Sequence, residues 1–398
     1  MSDQGPAGTS AGTSRRVSLV VVVVAGTAFV VLAAVLIPWH WLPGQHVEAV
    51  PAGSVFTPAE IDKAEHVSGL FRYSSWANLA LGLAVALVLG FSRTGSRLVG
   101  RLPGRWWLQG ALAVFALTAI TMVVQLPLAV FGHQVERHYQ LSSQPWGAWL
   151  SDQLISALVA AVFTGIGVIV LLALIRRAPR SWPAWAAGAG AALTLLGSFV
   201  YPVVVEPLFN NFSSMPAGPL RTDILRLAAQ EHVHVDDVLV ADASKRTSML
   251  NAYVSGFGST RRVVVYDTVL KDLSNAEIES IVAHELGHAK HQDVLVGTVL
   301  GAVGGALGIG LLGLLLADGR LLRRAGTPTA GDPRVLPLLF ALIAVGSFVA
   351  SPIENTMSRA VEARADRTAL TVTHDPTTFI AMQKQLSLRS LSDPTPPC

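Results

Sequence analysis

The chemistry in this chain is concentrated in five residues, His284-Glu285-Leu286-Gly287-His288. On a helix, positions i and i+4 share a face one turn apart. Two imidazoles so spaced can grip one zinc ion, and the glutamate beside them can reach a water on that ion. The pattern alone is only moderately specific, but its context strengthens it. Ser274-Asn275-Ala276-Glu277 is a capping box that starts a helix just upstream. Ile278, Ile281 and Val282 then give that helix an apolar face. The competing reading is a solvated helix with two incidental histidines.

A catalytic zinc ordinarily has three protein ligands and one open position. The only cysteine is Cys398, so no internal disulfide and no cysteine-built site is available; the donors must be His and Asp or Glu. A metzincin would carry a third histidine ten residues after the first, where this chain has Val294. His291 lies on nearly the same face as His284, but two turns away, about 10 Å by helix rise. It is read as a neighbour of the site or a surface residue. Glu362 is the better third ligand. With Asn355, Arg359 and Asp366 it follows the spacing i, i+4, i+7, i+11 and so lies on one polar stripe of a helix. A solvated face with an Arg–Glu pair is the alternative for that stripe.

The elements that must position these groups are those of an integral membrane protein. The chain is 51% hydrophobic and 14% charged, against about 25% charged in ordinary soluble domains. Apolar stretches at 17–37, 75–91, 106–131, 153–175, 182–206, 293–317 and 335–353 are each near the roughly 20 residues a bilayer needs. The predicted fold is mainly α, a polytopic helical bundle of about seven spans. Residues 1–16 are expected to be disordered and 17–206 to hold spans one to five. Residues 207–292 form a small α/β insert containing the HELGH helix, 293–353 hold spans six and seven, and 354–398 a further catalytic helix and tail. A signal peptide competes for the first stretch. That run is long for one and lacks a small-residue cleavage site, and Trp39 and Trp41 stand at its far end like an interfacial belt.

Within the insert, Leu220 to Gln230 reads as a helix, and Val238–Val240 and Arg262–Tyr266 as strands. The HELGH helix is expected to run on into the sixth span. Glycines repeated every four residues in that span suit close helix packing. Arginines crowd the loops 92–105, 176–181 and 318–334, whereas the opposite short loops hold only Lys63, Arg72 and Arg137. The positive-inside rule therefore puts the N-terminus in the cytoplasm and, with seven spans, the insert outside. An Ala/Val/Gly/Arg-rich chain of this kind suggests a bacterial plasma membrane. The basic charges follow topology, and no aromatic-rich basic patch points to nucleic acid.

Three linked motifs carry a family resemblance. HELGH, the downstream Ser358-Arg359-x-x-Glu362-x-x-Ala365-Asp366 and the upstream Asn251-Ala252-Tyr253-Val254-Ser255-Gly256 occur in order, joined by Pro207-Leu208-Phe209-Asn210, Ser244-Lys245-Arg246 and Tyr266-Asp267-Thr268. Together, over about residues 130–370, they resemble the integral-membrane gluzincin proteases typified by the type I CAAX prenyl endopeptidase (Ste24-type) and, more distantly, the HtpX-like proteases. Seven spans favour the former branch. The resemblance implies one Zn2+ per chain held by His284, His288 and Glu362, with Glu285 as general base and then acid. It implies that Asp366 orients a ligand histidine, and that Asn251, Ala252 and Tyr253 form an edge strand that takes the substrate backbone by β-addition. The partners implied are a peptide or protein substrate and the bilayer. Family members continue with a helical segment carrying His-Pro and a later Arg, which steadies the tetrahedral intermediate. Here His374 is followed by Asp375-Pro376 and does not match, so that donor is expected to be missing or replaced. Cys398 has no residues after it and does not fit a prenylation signal.

The expected function is therefore zinc-dependent endoproteolysis in the membrane, of the CAAX-processing kind or in quality control of membrane proteins. One rival is a scaffold of the same fold without turnover. The other is a transporter, which the scarcity of ionisable residues in the spans disfavours. Gln125 and Glu206 are the main polar exceptions there.

Overall fold

The computed structural model describes residues 6–40, 50–202, 206, 211–256 and 258–395. Among the described residues, seven helices are long and apolar enough to cross a membrane. They are α1 (Pro6–Leu36), α2 (Pro58–Phe91), α4 (Trp106–His138), α5 (Trp146–Arg177), α6 (Trp182–Val200), α10 (Asp293–Leu316) and α12 (Leu336–Thr373). Two short helices, α3 (Arg93–Gly100) and α11 (Gly319–Ala325), connect spans at the end of the bundle away from the insert. Valines, leucines and phenylalanines such as Val24, Val35, Phe163 and Leu196 are exposed along the spans. In water such a continuous apolar surface would be untenable; in a bilayer it is the lipid-facing belt. A largely apolar cavity of about 1200 Å³ lies among α2, α4, α5 and α12, with Asn78, Gln125, Gln153, Ser351 and Glu354 as polar points on its walls.

The insert is a four-stranded sheet with helices on one face. Its strands are β1 (Phe212–Ser214), β2 (Asp237–Ala241), β3 (Ala252–Ser255) and β4 (Arg262–Tyr266), in the order β1-β2-β4-β3. β2 and β4 run parallel, and the outer pairs are antiparallel. Alternate residues Val238, Val263 and Val265 point to a core shared with α7 (Pro219–Gln230) and α9 (Asn275–Lys290), where Ile224, Ile278, Val282 and Leu286 are buried. β3 is an edge strand with β4 as its one partner. A short helix, α8 (Asp267–Asp272), leads from β4 to α9, and α13 (Pro376–Ser390) closes the core with Met382.

Four features differ from the sequence reading. Helix α1 begins at Pro6, inside the segment 1–16 expected to be disordered. Extending an existing helix costs far less than nucleating one, and no proline after Pro6 stops it. Helix α2 begins at Pro58 rather than near residue 75, because Thr57 and Glu60 form a full capping box, with Glu60 N–H donating to Thr57 Oγ1 at 3.3 Å and Thr57 N–H to Glu60 Oε2 at 2.8 Å. The HELGH helix does not run on into the sixth span. It ends at Lys290, and Gln292, in the left-handed region at φ 56°, breaks the chain before α10. Conversely, the seventh span and the Glu362 helix are a single helix, α12, not two.

The first span is a working part of the bundle. It packs along α10 where the glycine stripe leaves room: a Cβ on Gly313 would stand 2.3 Å from Ser18 Oγ. Trp39 caps the end of α1 by donating from Nε1 to Ala33 O at 2.8 Å. Trp41, Pro207 to Asn210 and Cys398 lie outside the described residues.

Candidate metal centre

Helices α9 and α12 cross at Gly287. A Cβ there would meet Thr368 Cβ at 3.1 Å and Ala365 Cα at 3.4 Å, so the glycine lets α12 approach closely. The same crossing sets Glu362 and Asp366 against the histidine face of α9. His284 Nε2 and His288 Nε2 are 3.1 Å apart. Glu362 Oε2 stands 3.4 Å from the first and 3.7 Å from the second. Donors at about 2.1 Å around one tetrahedral ion stand roughly 3.4 Å from one another. The triangle therefore has the size a single zinc-like ion requires. Among the described residues this is the one His/Cys/Asp/Glu group gathered closely enough to hold a metal.

The remaining ring nitrogens face carboxylates. His288 Nδ1 is 2.8 Å from Asp293 Oδ2, and the other oxygen of Asp293 accepts from the Arg364 guanidinium. His284 Nδ1 is 2.8 Å from Asp366 Oδ1, although its N–H is not aimed squarely at that oxygen. With each Nδ1 carrying the proton toward its carboxylate, both Nε2 lone pairs point into the triangle beside Glu362. Three electron-rich donors facing one another repel unless a proton or a metal ion lies between them, and a donor set of two imidazoles and a carboxylate fits a zinc-like ion. Burial pulls His284 toward its neutral form, but the contact with Asp366 and the charges of Glu285, Asp366 and Glu362 together raise its pKa above the ordinary value. Burial raises the pKa of Glu285, against the two histidines, which pull it down.

A cleft of about 280 Å³ opens beside these groups. His284, Glu285, Glu362 and Asp366 line one wall, Asn251 and Ala252 another, and Ile281, Met382, Gln383 and Leu386 the rest. The structure thus brings together His284, Glu285, His288, Glu362 and Asp366, and sets Asn251 and Ala252 at the same opening. Tyr253 points to the other face of the sheet, where it meets Tyr266 edge to face at 6.3 Å. Asn355 and Arg359 are exposed on α12, and among the described contacts neither touches the histidines. His291 caps the end of α9, its N–H donating to Gly287 O at 3.1 Å, and is outside the donor group. Sequence reasoning missed Asp293 and Arg364. Their signal was an acidic residue just after the break in α9 and a basic residue two positions from Glu362. It also missed α13, whose apolar residues complete the cleft.

A bundle of seven spans with a three-donor site over a peptide-sized cleft defines an integral-membrane metalloprotease. The profile of peptidase family M48 matches residues 214–391, and that of the CAAX prenyl protease N-terminal domain, five membrane helices, matches residues 62–211. The chain is 31% identical to an uncharacterized metalloprotease, YhfN, of Bacillus subtilis over 88% of this chain and 83% of that protein. CAAX prenyl protease 1 of Saccharomyces cerevisiae is 29% identical over 43% of this chain, and the Arabidopsis thaliana homolog 33% identical over 45%. Those two alignments span only 38% and 42% of the relatives' own lengths. The crystal structure of S. mikatae Ste24p shares the fold, with a TM-score of 0.76 over 95% of this chain and 94% of that one at 18% identity. The chain belongs to the M48 metallopeptidases, in the Ste24-type family of CAAX prenyl proteases.

Proposed function

We propose that this protein is a zinc-dependent endopeptidase that hydrolyses peptide bonds at the membrane surface. The observation that carries this reading is the donor triangle of 3.1, 3.4 and 3.7 Å between His284, His288 and Glu362, with Glu285 in the adjoining cleft. Zinc held by these residues would supply Lewis acidity, lowering the pKa of water and polarising a carbonyl. Glu285 is the group placed to accept a proton from the attacking water and pass it to the leaving amine. Its burial, which favours the protonated form, suits a carboxylate that must hold a proton between the two transfers.

The edge strand β3 supports binding of an extended substrate. Tyr266 N–H donates to Asn251 O at 3.1 Å. By the alternation of antiparallel pairing, Asn251, Tyr253 and Ser255 bond toward β4, which leaves the backbone groups of Ala252 and Val254 facing outward. A peptide added there would be held through its main chain with its side chains offered alternately to the apolar wall of Ile281, Met382 and Leu386. Prenylated CAAX-type peptides and segments of membrane proteins both present an extended, apolar sequence of this kind, in a lipid setting reached from the spans. Asn251 and Gln383, the amide side chains on the cleft, are the neutral donors within it that could face a developing oxyanion.

The test is metal content and peptide cleavage on one purified sample beside Glu285→Gln. About one zinc per chain in both, with cleavage in the native protein reduced roughly 10²–10⁴-fold in the variant, is the expected result. Zinc in both without cleavage in either would favour a scaffold of the same fold. Absence of zinc would overturn the donor assignment.

A further inference from the structure

We propose that the end of the bundle opposite the insert is a docking surface for anionic phospholipid headgroups. Three loops that are far apart in sequence meet there. Helix α3 packs against α11 and against the turn Pro333–Val335, and the last turn of α5 joins them through Arg176, whose Nη1 donates to Gly331 O at 3.0 Å. Together the segments 92–105, 176–181 and 318–334 hold eleven arginines and two acidic residues, Asp318 and Asp332. Neither aspartate is spare. Asp318 caps α11 by accepting from Arg320 N–H at 2.8 Å, and Asp332 pairs with Arg334 at 2.8 Å.

The two short helices are built to lie at a boundary. On α3, Arg93 and Arg97 fall one turn apart, and Arg101 continues the row just past its end; all three are exposed, while Val99 beneath is fully buried. On α11, Arg320, Arg323 and Arg324 are exposed and Leu322 and Ala325 are buried against the same core. Among the described residues, none of these six arginines has a carboxylate within ion-pair distance; the ion pairs of this end are accounted for by Arg334 and Asp332. The depth of the surface is marked by tryptophan. Trp107 and Trp185, at the starts of α4 and α6, are exposed beside it, and Arg176 lies over the ring of Trp106 at 5.3 Å. Tryptophans gather where acyl chains give way to headgroups. A row of guanidinium groups at that level, short of counter-charges from the protein, is complementary to phosphodiester groups of the adjoining leaflet, which arginine can engage with two parallel hydrogen bonds. This complementarity holds for either leaflet and whether or not the protein is a protease.

The experiment uses the full chain in neutral detergent and follows thermal unfolding with added phosphatidylglycerol or, separately, phosphatidylcholine of the same acyl composition. Phosphatidylglycerol should raise the midpoint more than phosphatidylcholine, and the difference should shrink as salt is raised. Replacing Arg97, Arg101, Arg323 and Arg324 together by Gln should abolish most of the difference, since each basic residue near such a surface contributes roughly fivefold to partitioning. The corresponding fourfold Arg→Lys variant should keep most of it, which separates lost charge from damaged folding. Equal responses to the two lipids in the native chain would overturn the proposal, as would an undiminished response in a folded Gln variant. A response reproduced by inorganic phosphate, or by a soluble oligonucleotide, would also overturn it by showing that the surface recognises a soluble anion.

Discussion

Asp293 shows how much of the site rests on groups that would not touch a metal. It takes the Nδ1 side of His288 at 2.8 Å and is itself held by Arg364, so the ring of one donor is fixed from α10 and α12 at once. It also sits in the first turn of α10, where the helix dipole favours a negative charge. Asp293→Asn keeps the shape but removes the charge that makes His288 a stronger donor and that balances Arg364. Zinc affinity should fall by about 10–100-fold, measured by competition with a chelator, while the fold and its far-ultraviolet dichroism persist. Unchanged affinity would mean that Asp293 serves only to anchor Arg364. His284, His288, Glu285 and Glu362 could be read from the sequence because their chemistry is written in short periodic spacings on helices. Asp293 could not be, because its position depends on the left-handed Gln292 that turns the chain out of α9 and into α10. Asn355 and Arg359 shared the period of Glu362 without sharing its contacts: a helical stripe is longer than the patch a neighbouring helix covers.

At the scale of elements, the centre is the crossing of α9 and α12, and the crossing is as close as Gly287 allows. Thr368 and Ala365 occupy the space a methyl group would need. Gly287→Ala must push α12 outward by a few tenths of an ångström. The displacement acts on Glu362 and Asp366, which lie on the same helix within about two turns of the contact. Overpacking of this kind costs about 1–3 kcal/mol, partly offset by the gain in helix propensity on replacing glycine, about 1 kcal/mol. The expected outcome is a modest loss of thermal stability with a disproportionate loss of zinc affinity. A variant that binds zinc normally would show that the crossing has slack. The strands β2 and β4 and the helices α7 and α9 were legible from alternation, periodicity and a capping box. The continuity of α12 was not, because the change from apolar to polar composition near Glu354 looks like an ending. A helix passing from bilayer to water changes its side chains without changing its backbone bonds.

Over the whole molecule, the seven spans place the described start of the chain and the insert at opposite ends of the bundle, and the arginines of the short loops are the sequence feature that bears on its orientation. Exposed arginines of α3, α11 and the loop after α5 form one face, while several basic residues of the insert end are ion-paired, among them Lys290 with Glu231 at 2.8 Å, Arg221 with Asp237 at 2.8 Å and Arg246 with Asp152 at 3.2 Å. A polar segment as long as the insert translocates largely regardless of its charge, whereas arginines in short loops between spans favour the cytoplasmic side. On that rule we propose an orientation with the N-terminus in the cytoplasm and the donor triangle outside. Reporter fusions in the segment 207–292 and near residue 327 should then report opposite compartments, with the first external. Removing the bias should matter as well: Arg97→Gln, Arg101→Gln, Arg323→Gln and Arg324→Gln together should yield a mixed population of orientations. An insert found in the cytoplasm would show that folding of the catalytic unit before insertion outweighs the arginine count, and would direct the protease toward cytoplasmic substrates.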